Sequence, residues 1–232
     1  MDADARRRLP VLVTGGASGL GAAVVDALRS VERVPVVLDL RPPASAVAAE
    51  RVDLADARAA EAATARLAEG HGGLSAVVTA AGIDACGRLA DVPGERWDRV
   101  VAVNLLGTAA VVRAALPYLT RVHGNVVTVA STLGLRAVSD ATAYCASKFG
   151  VVGFTRALAV ELKGEVGVTL LVPGGMHTGF FDDREERYRP PPDAKLNRPG
   201  DVAAAVLYAL HQPPGCEVRE MVVCPSLESS WP

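Results

Sequence analysis

Tyr144 and Lys148 stand four residues apart in the segment AYCASKFG, and lysine is otherwise found only at Lys163 and Lys195. At this spacing on a helix, the two side chains lie on the same face. If the ammonium approaches the phenol to about 4 Å in a partly buried site, their attraction of about 4 kcal/mol lowers the tyrosine pKa by up to about three units. We therefore predict that Tyr144 is a general acid/base working near neutral pH.

Two further polar residues, Ser131 and Asn104, lie in apolar surroundings. Ser131 follows the run NVVTVA, at the predicted end of the fifth strand. At the carboxyl edge of a parallel sheet its hydroxyl can donate to a substrate carbonyl oxygen, although a strand-end serine alone is equally well a structural residue. Asn104 lies within the apolar segment VAVNLLG and needs a partner when buried. It is either a structural hydrogen-bonding group or part of a polar relay.

A glycine-rich turn, TGGASGLG, joins the first predicted strand to a helical segment. Its glycines allow a sharp turn and close approach to a ligand, and the helix N-terminus behind them offers free N–H groups to a pyrophosphate. Asp39, about 20 residues further on, can accept hydrogen bonds from the adenosine ribose and would repel the 2′-phosphate of NADP. Arg41 could offset that repulsion, but the pattern favours NAD over NADP.

Seven short runs rich in β-branched residues alternate with alanine- and leucine-rich segments of helical length: 10–14, 34–40, 50–54, 74–80, 125–131, 167–173 and 220–225. This alternation predicts an α/β fold with a mostly parallel seven-stranded sheet covered by helices on both faces, in one domain over residues 1–232. The charged, proline-rich segment 177–200 lacks periodicity. We predict a substrate loop there, with an insertion of no function as the alternative.

Two helical segments, 100–116 and 144–162, are apolar nearly all the way round. Such helices need a cover on their outer side as well as on their inner side. We therefore predict a homo-oligomer, a tetramer or a dimer, with helices 95–117 and 142–163 in the interface. The alternative is that many alanines and glycines make these helices look more apolar than they are.

Composition excludes several classes of function. Half of the 232 residues are hydrophobic and the net charge is −2, which indicates a globular protein without an electrostatic footprint for nucleic acid or an anionic membrane. No run approaches the ~18 uninterrupted apolar residues of a membrane span. The four cysteines and four histidines are scattered, so we expect reduced thiols, no metal site and a cytoplasmic protein.

Together these residues resemble the short-chain dehydrogenase/reductase family, in its compact single-domain branch, over about residues 9 to 225. Asn104, Ser131, Tyr144 and Lys148 match its catalytic tetrad, with Ser131 thirteen residues before Tyr144. The resemblance implies a Rossmann-type doubly wound sheet and hydride transfer between NAD(P) and a secondary alcohol or ketone. It makes Tyr144 the proton donor or acceptor, while Ser131 polarises the substrate oxygen. Lys148 lowers the tyrosine pKa and binds the nicotinamide ribose, and Asn104 holds a water that links Lys148 to solvent.

The resemblance also implies a set of cofactor-binding residues in the glycine turn, at strand ends and in the stretch PGGMHT: Gly15, Ser18, Gly19, Leu20, Gly21, Asp39, Leu40, Asp53, Leu54, Ala81, Gly82, Tyr144, Lys148, Pro173, Gly174, Met176 and Thr178. Asp53 and Leu54 resemble the adenine-contacting pair. The chain departs from the family where Thr79-Ala80-Ala81-Gly82 replaces the usual Asn-Asn-Ala-Gly. The hydrogen bonds of the missing asparagine are either lost or taken over by Thr79.

The substrate itself is suggested only by position. The candidate pocket residues indicate a partly apolar small molecule: Asp84, Leu133, Leu135, Val138, His177, Phe180, Phe181 and Tyr188. The C-terminal segment 226–232 either covers this pocket or trails away from it. The altered Thr79-Ala80 pair leaves a second function open, an NAD(H)-binding sensor or scaffold without significant catalysis. A sugar epimerase or dehydratase would need a differently spaced glycine turn and a larger substrate domain.

Overall fold

The structure, a computed structural model, describes residues 3–213, 215–228 and 230–231. It contains a sheet of seven strands: Val11–Thr14 (β1), Pro35–Asp39 (β2), Ala48–Arg51 (β3), Ala76–Thr79 (β4), Asn125–Val129 (β5), Gly167–Pro173 (β6) and Glu220–Val223 (β7). The strand order is β3-β2-β1-β4-β5-β6-β7, and every neighbouring pair is parallel. The predicted α/β fold with a parallel seven-stranded sheet is confirmed.

The described helices are Ala3–Arg8 (α1), Gly19–Ser30 (α2), Ala57–Gly70 (α3), Gly94–Val101 (α4), Thr108–Thr120 (α5), Thr142–Glu161 (α6) and Pro199–Leu210 (α7). Helices α3, α5 and α6 cover one face of the sheet, and α2 and α7 cover the other. Side chains of a strand alternate between the two faces. In β1, Leu12 therefore joins the core under α3 and α5, while Val11 and Val13 join the core under α2 and α7. All three are fully buried, which explains why the strand is a continuous apolar run.

The strand order reverses between β1 and β4, because β2 and β3 lie on one side of β1 and the later strands lie on the other. Ligands bind in parallel sheets of this kind in the crevice at the carboxyl ends of the strands, beside the reversal. The predicted third strand, 50–54, is displaced in the structure, where β3 is Ala48–Arg51. Val52 and Leu54 alternate as in a strand but are buried in the connection to α3, whose first turn is capped by Asp56.

A single helical run extends from Gly94 to Thr120, in which the π-helical turn Ala102–Gly107 separates α4 from α5. By length and composition alone, it is the one helix among the described residues that is apolar enough to cross a membrane. Half of its most apolar window is buried against the rest of the protein. Such burial is what the core helix of a folded domain shows.

The predicted substrate loop lies between β6 and α7 and contains two short 3₁₀ turns, Gly179–Phe181 and Glu186–Tyr188. Its two ends are joined at Asn197, whose N–H donates to the Gly175 carbonyl (2.9 Å) and whose carbonyl accepts from the His177 N–H (2.9 Å). The Asn197 amide also donates to the Val223 carbonyl of β7 (2.9 Å). The loop therefore leaves and rejoins the domain at one fixed point, above the carboxyl edge of the sheet.

Candidate active site

The glycine turn is fitted closely to the end of β4. Gly15 has φ +72°, and a Cβ on it would lie 2.8 Å from the Ala81 Cα. A Cβ on Gly21 would lie 2.1 Å from the Gly15 carbonyl oxygen. Ser18 precedes α2 and its side chain does not cap the helix, while Leu20 is buried in the core. The first N–H groups of α2 thus remain available to an anionic ligand, as the sequence predicts.

Asp39, at the end of β2, is held beside this turn. Its carboxylate accepts hydrogen bonds from the Ala17 N–H (2.9 Å) and from the Arg41 N–H (2.9 Å). The Arg41 guanidinium in turn donates to the Ser18 hydroxyl (3.3 Å). An acidic group and a basic group therefore both lie at the edge of the turn, next to the half-exposed Leu40.

The predicted adenine-contacting pair is tied into the protein. The Asp53 carboxylate accepts from the Ala55 N–H (3.0 Å) and pairs with Arg99 (2.9 Å). The Leu54 side chain is buried in the core, and a Cβ on Gly107 would lie 2.6 Å from the Leu54 carbonyl oxygen. Both residues have a structural role here, and their contact with a cofactor stays a prediction.

At the end of β4 the chain's departure from the family motif has a visible consequence. Thr79 has a buried hydroxyl without a hydrogen-bond partner among the described residues, so it does not take over the asparagine's bonds. The Ala81 N–H donates instead to the Thr14 hydroxyl (3.1 Å). A Cβ on the next residue, Gly82, would meet only the Asn104 Oδ1 at 3.5 Å and the Lys148 Nζ at 3.6 Å. Gly82 thus leaves room beside Lys148 that a side chain would fill.

Asn104 lies in the π-helical turn and is fully buried. Its Oδ1 accepts from the Ile83 N–H (2.9 Å), and its Nδ2 donates to the Ile83 carbonyl (2.9 Å) and to the Ser147 hydroxyl (3.0 Å). The side chain therefore joins the long helical run, the segment after β4 and α6. The Asn104 side chain thus makes structural hydrogen bonds, which is one of its two predicted roles. Its part in a polar relay through water stays a prediction. π-Helical turns often occur at functional sites.

The structure brings Ser131, Tyr144 and Lys148 together at the carboxyl edge. Tyr144, in the first turn of α6, is 9% exposed, and the Ser131 side chain lies near enough to its hydroxyl to affect the Tyr144 pKa. The Ser131 Oγ also accepts from the Leu133 N–H (3.1 Å). Lys148 is 4% exposed, and its Nζ lies 5.6 Å from the centre of the Tyr144 ring and donates to the Val129 carbonyl (2.9 Å).

Burial dominates the electrostatics of these two groups. It raises the pKa of Tyr144 well above its usual range, against an opposing effect of the Ser131 side chain. Burial also lowers the pKa of Lys148 to about 8. The prediction that the lysine brings the tyrosine pKa towards neutrality is wrong for this structure, because removal of both groups from water outweighs their attraction. At neutral pH the phenol holds its proton.

The substrate loop covers this site with aromatic side chains. The Phe180 ring lies 5.6 Å from the Tyr144 ring and 5.5 Å from the Phe181 ring. The Arg184 guanidinium stacks on both phenylalanine rings and forms an ion pair of 2.6 Å with Asp84. Sequence reasoning missed Arg184, since nothing distinguishes it from the other charged residues of its loop.

The other candidate pocket residues lie around this cluster or away from it. Leu135 packs against the core under α6, whereas Val138 and His177 are exposed. The Tyr188 carbonyl accepts from Arg184 (3.2 Å), and Leu133 contacts the site through its N–H to Ser131.

The PGGMHT stretch follows β6 and is held by the C-terminal segment. Pro173 and Gly174 are buried, and a Cβ on Gly174 would lie 2.3 Å from the Glu228 carboxylate, which accepts from the Gly175 N–H (3.1 Å). The Ser230 hydroxyl donates to the Thr132 hydroxyl (2.7 Å), next to Ser131. The described residues of 226–232 therefore pack against Thr132 and the start of the PGGMHT stretch, beside the site.

The opposite end of this stretch borders the glycine turn. The Met176 side chain packs against the core under α2 and α7. The Thr178 hydroxyl accepts from the Phe180 N–H (3.3 Å), and its methyl group would lie 3.4 Å from a Cβ on Gly19. The PGGMHT stretch and the glycine turn thus approach each other at Thr178 and Gly19.

Comparisons with known proteins agree with this geometry. The family model described as short chain dehydrogenase matches residues 10–189. An uncharacterised oxidoreductase of Staphylococcus aureus is 33% identical over 227 residues, covering 92% of this chain and 96% of the relative. The 2,5-dichloro-2,5-cyclohexadiene-1,4-diol dehydrogenase LinX of Sphingobium indicum is 31% identical over 216 residues, covering 85% of this chain and 86% of the relative.

Two solved structures share the fold. The aldohexose dehydrogenase of Thermoplasma acidophilum superposes with a TM-score of 0.85 at 21% identity, covering 95% of this chain and 94% of that chain. The alcohol dehydrogenase of Thermococcus sibiricus, complexed with 5-hydroxy-NADP, superposes with a TM-score of 0.83 at 23% identity, covering 95% of this chain and 97% of that chain.

Proposed function

The chain belongs to the short-chain dehydrogenase family of oxidoreductases, and from that premise we propose that it transfers a hydride between a nicotinamide dinucleotide, preferably NAD, and a secondary alcohol or ketone. The grouping of Ser131, Tyr144 and Lys148 carries this proposal: Ser131 acts on the Tyr144 hydroxyl, and the Lys148 Nζ lies 5.6 Å from the centre of the Tyr144 ring. It places two proton-bearing groups together at the carboxyl edge of the sheet, with Lys148 one turn further along the same helix. A substrate oxygen placed beside both hydroxyls meets a hydrogen-bond donor and an acid.

The residues at this edge fit a dinucleotide. The glycine turn and the N-terminus of α2 would hold the pyrophosphate, and Asp39 would hold the adenosine ribose. The room beside Gly82 fits the second ribose, next to Lys148. When bound, the nicotinamide ring supplies or accepts the hydride. The negative charge of Asp39 supports NAD, and Arg41 beside Ser18 is the group that would admit the 2′-phosphate of NADP.

The chain's own residues account for the proton. In ketone reduction, the Tyr144 phenol donates its proton to the carbonyl oxygen as negative charge develops there, and the Ser131 hydroxyl donates a hydrogen bond to the same oxygen. In alcohol oxidation the phenol must first lose its proton, which its raised pKa opposes. We therefore expect oxidation to accelerate as the pH rises above neutrality, whereas reduction does not need the phenolate.

Replacement of Tyr144 by Phe tests this role. It removes the proton donor and leaves the ring, so kcat falls about a hundred- to ten-thousandfold. The dissociation constant of NADH, measured by fluorescence titration, should change by less than about threefold, because one hydroxyl contributes little to a large ligand. Tyr208→Phe, at an exposed position of α7, is the matched control and keeps full activity. Unchanged turnover in Y144F would refute the proposal.

One observation favours a second candidate function, an NAD(H)-binding sensor or scaffold without significant catalysis. The Thr79 hydroxyl is buried and unpaired among the described residues, so the end of β4 lacks a hydrogen bond beside the cofactor crevice. Steady oxidation of NADH by the unmodified protein with any member of a ketone panel would exclude this candidate.

We also propose that the protein is a homo-oligomer. Leu106 and Phe149 are 53% and 44% exposed, on the two helical runs predicted for the interface, and Val160 is 77% exposed. An aspartate at Val160 would add a charge to a covered apolar face, so Val160→Asp should lower the molecular mass seen by light scattering at micromolar concentration. A monomer for the unmodified protein contradicts the proposal.

A further inference from the structure

The pair Asp84–Arg184 is buried beside the proposed catalytic tyrosine. Their side chains are 5% and 17% exposed, and the ion pair is 2.6 Å long. Phe180 connects the pair to Tyr144, because its ring lies 5.6 Å from the Tyr144 ring and 5.2 Å from the Arg184 guanidinium. A buried ion pair adds little to stability when compared with apolar residues of the same volume. Its presence at this place therefore calls for a role in the site.

The hydrogen bonds of the pair leave one donor without an acceptor. Arg184 donates to Asp84 through Nη2 and to the Tyr188 carbonyl through Nη1, while its buried Nε has no acceptor among the described residues. The Asp84 carboxylate accepts from Arg184, from the Ala85 N–H (2.6 Å) and from the Cys86 thiol (3.2 Å). A carboxylate has about four acceptor positions, so one remains.

From this arrangement we propose that Asp84 and Arg184 form a binding site for a second hydroxyl of the substrate, so that the preferred substrates are diols or hydroxyketones. A hydroxyl donates and accepts through a single oxygen atom. It can accept from the Arg184 Nε and donate to Asp84. The inference rests on the proposed function, since it places the reacting oxygen at Tyr144 and Ser131.

The same chemistry disfavours the alternatives. A carboxylate on the substrate could accept from Arg184 but would be repelled by Asp84. A simple ketone or alcohol would leave the Nε unpaired in a site from which water is excluded, which costs affinity. The apolar part of the substrate would lie against Phe180 and Phe181. Because these rings and Arg184 belong to the same loop, the loop must open to admit the substrate, and opening exposes the Nε.

Kinetics with three types of matched ring alcohol test the proposal: cyclohexanol, a cyclohexanediol and a hydroxycyclohexane carboxylate. The diol is tested both with adjacent and with opposite hydroxyls. The unmodified protein should give a kcat/KM at least about tenfold higher for a diol than for cyclohexanol, the scale of one hydrogen bond to a charged group. Arg184→Lys keeps a positive charge beside Asp84 but lacks the Nε donor. It should abolish this preference, so that the ratio of the two kcat/KM values, measured within the same variant, falls to about one.

Arg187→Lys is the control, because Arg187 is an exposed arginine of the same loop that pairs with Glu185. It should keep the full preference for the diol. A preference that is equal in the unmodified protein and in R184K overturns the proposal, as does an unmodified protein that prefers cyclohexanol or the carboxylate.

A second measurement does not need turnover. Tryptic cleavage after Lys195, an exposed residue of the same loop that is followed by Leu196, is detected by mass spectrometry and reports how often the loop opens. The diol should slow this cleavage more than cyclohexanol does, in the unmodified protein and in R187K but not in R184K. If no alcohol is oxidised with either cofactor, the proposed function fails and this protection decides the inference alone. Equal protection by diol and cyclohexanol overturns it.

Discussion

The buried ammonium of Lys148 lowers the free energy of unfolding, and the size of this effect can be measured by changing the pH. Burial lowers its pKa from 10.5 to about 8, because the ammonium loses water and its hydrogen bond to the Val129 carbonyl does not compensate for that loss. A difference of about 2.5 units corresponds to about 3 kcal/mol. Below pH 8 both the folded and the unfolded chain hold the proton, and the whole cost is present. Between pH 8 and 10.5 the folded protein releases the proton first, so its stability rises.

The variant Lys148→Met separates this effect from other titrations. Urea unfolding followed by circular dichroism, at one protein concentration, gives the free energy of unfolding between pH 7 and 10.5. Over this range the unmodified protein should gain about 3 kcal/mol relative to K148M. The lost hydrogen bond to the Val129 carbonyl costs about 1–3 kcal/mol, but it is the same at every pH and leaves the difference in slope intact.

Lys163→Met is the control, since Lys163 is exposed and its replacement should leave the pH dependence of the unmodified protein unchanged. Under the proposed function K148M should also lose activity, because its uncharged side chain would not hold the nicotinamide ribose. Parallel pH profiles for the unmodified protein and K148M would refute the reasoning that burial, and not attraction to Tyr144, sets the lysine pKa.

Two further replacements test the cofactor crevice. Gly82→Ala should raise the melting temperature by no more than about 3 °C, because a Cβ there meets no protein atom closer than 3.5 Å. It should weaken NADH binding at least about tenfold, because that Cβ fills the room proposed for the ribose. Gly94→Ala, which has open space around it, is the control and should leave NADH binding unchanged. Asp39→Asn should raise the ratio of kcat/KM with NADP to kcat/KM with NAD about tenfold, because it removes one negative charge, and Arg41→Gln should lower this ratio. The same ratio in D39N, R41Q and the unmodified protein would contradict the roles given to these residues.

Local patterns in the sequence predicted the sheet and most of the candidate site. Strand periodicity and the Tyr144–Lys148 spacing depend on neighbours within one element, and the structure has the seven strands and the two side chains on one face of α6. Features that depend on distant residues were missed. Asp84 and Arg184 are 100 positions apart, and the Thr14–Ala81 contact spans 67 positions. Neither pair has a signature in a single sequence.

The wrong pKa prediction has the same origin. Spacing brings the Tyr144 and Lys148 side chains together, but their depth below the surface depends on distant residues such as Phe180, which packs against Tyr144. That depth reverses the direction of the Tyr144 pKa shift, because the cost of burying each charge exceeds the attraction between the two groups. The fold therefore keeps the phenol neutral, which is the state that the proposed role of Tyr144 as a proton donor requires. A bound ligand that brings charge or water to Lys148 would change this balance. We therefore expect NADH binding to shift the pKa of Tyr144, and ultraviolet difference titration of the free and the bound protein measures that shift.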